Sequence, residues 1–594
     1  MSTTSICAFV ALAVAVASTV AHTQPQIQIF NGEVVQTGPP GRPLKTGTGR
    51  IRGRVISAET GALIRRAQVR LSANDVGAKA AMTDSQGRYE FADLPEGRFT
   101  ITASKSGYVS VQYGQIRPSE SGRPIELADK QVIDKADILM PRGSVISGRI
   151  VDEFGDAVTD AMVTALRQSW VNGRRRLVPS GRIAQTNDLG QFRLYGLPPG
   201  DYYVGATLRN PEGIMVEMVA GNAVSGSVSA APSSGYASTY FPGTVTPSDA
   251  QKISVSPGQE VQGTDFALLA VRFVRISGVV LNTEGKPVEG TMVTVAAPRG
   301  AEGAFALMPG STARTNKDGA FTLNNVAPGD YTLQVRSMTV RTMPVGDSMS
   351  FTTRVEETGG AEFASVPVSV GGEDLSNVVI TTTRGASATG RVTFEGNRPP
   401  SATSVRIIPA AADVDSIGPP GLGGTTTKAD GTFELKGLSG ARLLRVAGLP
   451  PGWGVKSVQV NGSDVTDSGI DFKGTETFSG IEIVVAAPAS VISGSVTQSD
   501  GAAVKDYTAI VFAEDPQKWT LPSTRWVSGV RPDQEGRFRI QAMPPGNYYA
   551  IAVEYAAQGE WGDPELLDRL KSKATRFVLG EVESKVLDLR ISDR

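Results

Sequence analysis

One segment of this sequence recurs five times, and that recurrence restricts what the chain can fold into more than any other feature. Thr186–Tyr203 reads TNDLGQFRLYGLPPGDYY, and variants return at Thr83–Phe99 (TDSQGRYEFADLPEGRF), Thr315–Tyr331 (TNKDGAFTLNNVAPGDY), Thr427–Gly440 (TKADGTFELKGLSG) and Asp533–Tyr549 (DQEGRFRIQAMPPGNYY). A polar residue followed by Gly builds a tight turn in which the Gly (Gly87, Gly190, Gly319, Gly431, Gly536) takes positive φ. Any other residue would be strained there by about 1 kcal/mol. Two positions on stands an aromatic (Tyr89, Phe192, Phe321, Phe433, Phe538), and two further on an apolar residue (Phe91, Leu194, Leu323, Leu435, Ile540). A period of two is that of a half-buried strand, so each copy reads as a β-hairpin. Pro199-Gly200, Pro328-Gly329 and Pro545-Gly546 fit a type II turn, after which the chain re-enters the sheet through Tyr202, Tyr331 and Tyr548.

A second glycine sets the size of the repeating unit. A strand centred on Gly53, Gly148, Gly278, Gly390 or Gly494 opens each unit, 34 residues before the turn Gly in the first and 41 or 42 before it in the others. The lead glycines recur at about a hundred residues, the size of an independent domain rather than of a solenoid repeat. Between lead strand and hairpin run a second strand, such as Ala67–Leu71, and a loop of variable length. Alternating segments close the units at 132–140, 261–269, 375–383, 478–485 and 582–591. With 67 Gly and 36 Pro in 594 residues, the composition suits short strands joined by turns. The expected organisation is a signal peptide at 1–21, a linker at 22–48, and β-sandwiches at 49–142, 143–273, 274–384, 385–488 and 489–594. Arg142-Gly143, Arg384-Gly385 and Pro488-Ala489 are the only linkers at their junctions, which suggests a semi-rigid rod. Arg209–Tyr240, rich in Ala, Ser and Gly, reads as a mobile loop. In Trp561–Ala574, Asp563 as cap, Pro564 in the first turn and the stripe Leu566, Leu567, Leu570 predict a short helix.

Ile6–Ala21 is one apolar run followed by the polar His22-Thr23-Gln24-Pro25, the layout of a secretory signal peptide cleaved after Ala17 or Ala21. The expected location is secreted or periplasmic, with no membrane span after signal removal. Cys7 is the only Cys and lies inside that run, and its Thr-Ser-Ile context is not that of a lipid-modified cysteine. The exported chain therefore carries no disulfide and no cysteine ligand. A net charge of −1 supplies no field for nucleic acid or an anionic membrane, and Arg174-Arg175-Arg176 reads as a solvated loop.

The combination of a lead-Gly strand, a T-D-x-x-G-x-F turn and L-P-P-G-x-Y resembles the carboxypeptidase regulatory-like domain, a transthyretin-like Greek-key β-sandwich. The resemblance implies an all-β chain of five tandem sandwiches with one short helix near the C-terminus. The same sandwich is similar to starch-binding domains and to the B-type repeats of bacterial collagen adhesins, so the fold alone does not choose a function. Unit four departs most, with Leu438-Ser439-Gly440 in place of the Pro-Gly turn and Leu443 in place of the aromatic. In metallocarboxypeptidases such a domain accompanies a zinc peptidase, but the sole His here, His22, stands at the signal border. No zinc site of that kind and no Ser-His or Cys-His pair can be assembled from residues 49–594. Asp84, Asp188, Asp318 and Asp430 lie in the hairpin turns, where bonding to the backbone accounts for them. They supply too few oxygens for calcium. The lead strands hold no Lys, so the Lys-to-Asn crosslink of adhesin repeats is not expected, and neither is any cofactor.

These exclusions leave a non-catalytic binding or scaffold protein. Polysaccharide is the favoured ligand class, because sugar rings stack on exposed aromatic faces. Of the five Trp (Trp170, Trp453, Trp519, Trp526, Trp561), Trp519 and Trp526 fall in the variable loop of unit five beside Lys518 and Arg525, and are the candidate ligand-binding residues. Trp561 is expected to anchor the helix. The alternative is a structural spacer or a docking module for an envelope protein. Ligand, partner and oligomeric state are not specified by the sequence.

Overall fold

The computed structural model describes residues 46–593 apart from 74–75, 172–173, 209–233, 297–311, 337, 345–350, 358–361, 397–404, 413–423, 450–451, 488 and 522–523, together with a strand pair, Ile27–Phe30 and Glu33–Gln36. The expected signal segment and residues 209–233 of the expected mobile loop lie outside the described residues. The chain is all-β, built of five tandem sandwiches whose two sheets repeat one connectivity. In unit one the lead strand Gly49–Ser57 sits centrally, antiparallel to the hairpin strand Arg88–Leu94 and parallel to the closing strands Val132–Ile133 and Ile138–Met140. The facing sheet centres on Gln68–Ala73 and the return strand Gly97–Ser104, which pair with each other. The same pairings recur around the lead strands Ser144–Val151, Val274–Leu281, Ala386–Glu395 and Val491–Thr497. Each sandwich encloses its own apolar cluster, seeded by alternate lead-strand residues such as Ile51 and Val55, Ile146 and Ile150, or Ile276 and Val280.

The lead glycines answer to a steric demand that periodicity does not reveal. Each is register-paired with the aromatic of its hairpin: Gly53 with Tyr89, Gly148 with Phe192, Gly278 with Phe321, Gly390 with Phe433 and Gly494 with Phe538. On its other side the closing strand presses a carbonyl against it. A Cβ on these glycines would lie 2.1 Å from Ala136 O, 2.1 Å from Thr264 O, 1.9 Å from Val378 O, 2.2 Å from Ile481 O and 1.7 Å from Leu587 O. Only a residue without Cβ permits both neighbours, and the ring covers the backbone thus exposed. Tyr89 adds a hydrogen bond, its hydroxyl donating to Ala136 O at 2.5 Å.

The hairpin turn is fixed by a short side chain three residues before the turn Gly. Asp84 Oδ1 accepts from the amides of Gln86 and Arg88, both at 2.8 Å, and Asp533 Oδ1 from Glu535 and Arg537, both at 2.9 Å. In units two and three the acceptors are Asn187 and Asn316 rather than the neighbouring Asp188 and Asp318. Asp430 serves unit four by accepting from Thr432 N at 3.0 Å. The Thr that opens four of the copies is buried and ties the turn to the second strand. Thr83 Oγ1 donates to Ile64 O at 2.7 Å and accepts from Ala67 N at 2.8 Å, and Thr186 does the same with Val158 O and Ala161 N.

The connection after the hairpin differs from the expected type II turn. Gly200 and Gly329 sit at φ 145° and 154°, and the left-handed residue comes earlier, at Asp93, Gly196, Asn325, Gly437 and Ala542. In units one to four a bulge in the pairing with the lead strand accompanies it, so the twist is introduced inside the strand. Tyr202 and Tyr548 then enter the cores fully buried, their hydroxyls donating to the carbonyls of Pro198 at 2.5 Å and Pro544 at 2.7 Å.

Additions to the repeat are few. The helix Pro564–Lys571 forms as expected, with Asp563 Oδ1 accepting from Glu565 N at 3.1 Å and Leu566, Leu567 and Leu570 buried, behind a 3₁₀ turn at Glu560–Gly562. Two strand pairs were not expected, Ile27–Phe30 with Glu33–Gln36 in the linker and Met338–Pro344 with Phe351–Glu357 in unit three. Unit four, the most divergent in sequence, keeps the shared topology and adds Gly454–Val460 alongside its closing strand Thr477–Ala486.

The linkers are pinned, but the rod is not observed. Gly143 N donates to Gly107 O at 3.1 Å, Arg142 N to Glu59 Oε1 at 2.6 Å, and Ala489 N to Gly452 O at 2.7 Å. Units one and five, which a rod would hold at opposite ends, are in contact. Tyr555 Oη donates to Pro118 O at 3.0 Å and Gln558 N to Ser119 O at 2.8 Å. Unit two reaches the same place, where the carbonyl of Trp170 lies against Gly559. The glycine contact gives a sharp expectation. Gly494→Ala should destabilise unit five by about 2–4 kcal/mol, because the clash is with backbone on a packed strand. Gly501→Ala, at φ 88° in open space, should cost only about 1 kcal/mol. Urea unfolding followed by tryptophan fluorescence reads this directly, and equal losses would contradict the steric account.

Candidate functional site

The aromatic supply of unit five is where a ligand platform was expected, and the strand Thr508–Ala513 dictates where those rings go. All six of its residues are buried, and it leads into a 3₁₀ turn, Pro516–Lys518, capped by Asp515 Oδ1 accepting from Gln517 N at 3.1 Å. That turn delivers Trp519 back onto the sheet. Trp519 is 4% exposed, its Nε1 donates to Ala513 O at 2.7 Å, and its ring meets Phe512 edge-on at 5.6 Å. The expectation that it lines a binding surface is corrected: it is a core residue and presents no face to a ligand. The repeat alignment assigns it to a loop, but the 3₁₀ turn brings that part of the loop back over the sheet, where the ring packs on Phe512.

Trp526 is half-buried, and its groups are engaged. One face stacks on Tyr548 at 6.1 Å, with the planes 21° apart, and Lys518 Nζ lies 3.8 Å from the ring centroid. Its Nε1 donates to Asp467 Oδ2 at 2.9 Å, across the junction into unit four. Asp467 also receives the Arg525 guanidinium in fork geometry, Nε to Oδ1 at 2.9 Å and Nη2 to Oδ2 at 3.1 Å, while Arg525 Nη1 donates to Val455 O at 3.1 Å. Arg445, which donates to Thr466 O at 2.9 Å, completes this cationic surrounding. Burial holds its guanidinium below the usual value, opposed by the charge of Asp467 and assisted by that of Arg525. Burial likewise pushes the Tyr548 phenol well above its ordinary range. Asp467 was missed by sequence reasoning, because nothing in an Asp-Ser-Gly turn reveals a partner in the next unit.

The remaining tryptophans are structural as well. Trp561 packs over Gly529, where a Cβ would fall 2.2 Å from its ring, and so anchors the segment leading into the helix as expected. Trp453 meets Phe394 edge-on at 5.5 Å over the core of unit four. Trp170 lies under the Arg175 guanidinium at 4.9 Å. The run Arg174-Arg175-Arg176 accordingly belongs to the strand Arg174–Pro179 rather than to a loop.

A second cluster joins units one and five. Glu120, whose side chain is fully buried, pairs with Arg531, 2% exposed, and Arg531 also pairs with Asp506. Glu120 Oε2 caps its own loop by accepting from the amides of Ile116 and Arg117, both at 3.1 Å. Arg123 and Arg117 approach Asp506 at 3.4 and 3.8 Å, and Arg117 Nη1 donates to Glu554 O at 3.1 Å. The Gln534 amide makes a reciprocal pair with the backbone of Glu126, accepting from its N at 3.0 Å and donating to its O at 2.9 Å. Among the described residues no group of three or more His, Cys, Asp or Glu is arranged to hold a metal ion, and no helix is long and apolar enough to cross a membrane.

Comparison with known proteins bears on the units rather than on these clusters. The model of the carboxypeptidase regulatory-like domain family matches residues 50–128 and 275–381, so the resemblance read from the motif is shown for units one and three. No curated protein matches the sequence. Among solved structures, a streptococcal ancillary pilin is similar at 11% identity and a TM-score of 0.19, covering 56% of this chain and 98% of its own. The Bacillus anthracis TIE protein is similar at 10% identity and 0.14, covering 75% and 73%. Two B repeat units of the collagen binding protein of Staphylococcus aureus are similar at 12% and 0.12, covering 74% and 100%. Likenesses at this level carry no inference about function.

Burial separates the two tryptophans experimentally. Trp519→Ala should cost unit five about 3–5 kcal/mol, the usual penalty for emptying a core aromatic site. Asp467→Ala should cost about 1–3 kcal/mol, by leaving the Arg525 guanidinium and the Trp526 N–H without their acceptor. Thermal unfolding of the two variants beside the parent measures both, and a Trp519→Ala variant as stable as the parent would return that residue to the surface.

Proposed function

We propose that this chain is an exported, non-catalytic scaffold, a set of sandwiches joined by contacts between units, that docks an envelope protein. The observation that carries the reading is the lock of Arg525 and Trp526 on Asp467. It commits to joining units four and five the charged and aromatic groups that a glycan platform would need free. Sequence chemistry supports the non-catalytic part, since residues 49–594 contain neither His nor Cys. The apolar run Ile6–Ala21 supports export.

Polysaccharide binding is the second reading, and the partly buried ring of Trp526 is what favours it. Equilibrium binding of the chain without residues 1–21 to a panel of polysaccharides separates the two. The scaffold reading expects no saturable binding to any of them. Saturable binding that Trp526→Ala weakens by about 1–3 kcal/mol, with the units still folded, would replace it with the carbohydrate reading.

A further inference from the structure

The contact between units one and five has an unusual composition for one that holds a chain in shape. Its closest partners are charges and hydrogen-bonding groups: Glu120 with Arg531, Arg123 and Arg117 with Asp506, Gln534 with the Glu126 backbone, Tyr555 with Pro118 O. Each sandwich keeps its own apolar cluster, and among the described residues no cluster runs from unit one into unit five. Separating the two units therefore exposes groups that water serves nearly as well, and neither unit has to unfold. A buried ion pair adds little net stability over its hydrated halves, although removing one partner alone is costly because the other stays buried and unpaired. Polar contacts of this kind between domains are of the sort that open and close.

Nothing in the contact depends on both units belonging to one chain. The unit-one surface is the loop 113–123, braced by Glu120 Oε2 on its own amides, together with the backbone of Glu126 in the strand Ile125–Leu127 that follows it. The unit-five surface is set by the strand ends and turns around Asp506, Arg531, Gln534 and Tyr555. We propose that this contact is an exchangeable clasp: it closes one chain on itself, and in an opened chain it joins unit five of one copy to unit one of another. The partner is a second copy of this chain, and the interface is head-to-tail, with different surfaces on its two sides. Within one chain the tethered partner is present at an effective concentration on the order of millimolar, so the closed monomer prevails in dilute solution.

Two variants test both halves. Arg531→Glu spoils the unit-five side and leaves unit one intact. Glu120→Gln removes the charge on the unit-one side and keeps an oxygen to brace the loop. Each alone should shift the equilibrium toward the open chain by on the order of a hundredfold or more, read as a larger radius of gyration in small-angle scattering. The thermal unfolding of the sandwiches should be unchanged. Gln534→Ala, at the rim of the contact and outside any apolar cluster, is a further opening variant should Arg531→Glu misfold. Mixed in equal amounts, Arg531→Glu and Glu120→Gln still hold one intact surface each. Light scattering after size exclusion should then show a heterodimer that rises with concentration and is absent from either variant alone. Variants as compact as the parent would overturn the clasp itself. Open variants whose mixture remains monomeric up to several hundred micromolar, within reach of the effective concentration, would overturn its exchange between copies.

Discussion

The contact on which each sandwich depends is the three-way meeting of a lead glycine, the ring opposite it and a carbonyl of the closing strand. At Gly494 an added Cβ would stand 1.7 Å from Leu587 O, and the other four lead glycines leave hardly more room. The closing strand runs parallel to the lead strand, and in units three and four its register slips at this point, between Ile276 and Gly278 and between Ala388 and Gly390. The carbonyl turned inward by that irregularity needs the space a side chain would fill. The aromatic then covers the glycine from the hairpin side, which fixes the hairpin register relative to the lead strand. A one-residue slip would turn every core side chain of the strand to solvent. Glycine, ring and closing strand therefore set one another's positions, and the apolar cluster assembles inside a frame already decided.

This explains what was legible in the sequence. Strands alternate over five to ten residues, turns carry Gly, Asn or Asp, and the helix announces itself through Asp563, Pro564 and three leucines, because local geometry and burial each leave a periodic trace. The type II turn was misread for an instructive reason. Pro-Gly is a turn signal, but the left-handed residue stands three positions before it, at Gly196, Asn325 and Ala542, and Asp93 and Gly437 take the same place in units one and four, which lack the Pro-Gly pair. The hairpin strand takes its bulge earlier than the Pro-Gly pair advertises. Linker strands such as Ile27–Phe30 are four residues long, too short for alternation to show.

What the sequence withheld are contacts between units, where neither spacing nor periodicity applies. Asp467 and Arg525 are 58 residues apart, and Glu120 and Arg531 lie in the first and last sandwiches. Trp519 and Trp526 occupy one loop, yet the first closes the core of its own unit and the second bonds to its neighbour. A residue's place in a repeat fixes the element it belongs to; its environment is set by whichever other surface arrives there. Aromatic richness in unit five marked a unit with several neighbours to hold, units one, two and four, as much as it marked a platform.

The short linkers and the closing contact constrain each other. Arg142-Gly143 is held by hydrogen bonds from both residues, Phe273 lies against Gly235 at the next junction, and Gly385 is pressed against Phe363 at the one after. With so few free torsions, the direction in which each sandwich leaves its predecessor is inherited by all that follow, and a small error early in the chain becomes a large displacement at its end. Unit five reaches unit one only if four junctions are set together. A polar, hydrogen-bonded contact suits that position, because its geometry is directional: the reciprocal Gln534–Glu126 pair and the Tyr555 bond to Pro118 O are made in one arrangement and lost in its neighbours, whereas an apolar patch would accept a range of them. The clasp thus reports on the whole chain, closing when every junction is correct, while the apolar clusters keep each unit folded whether it is closed or open.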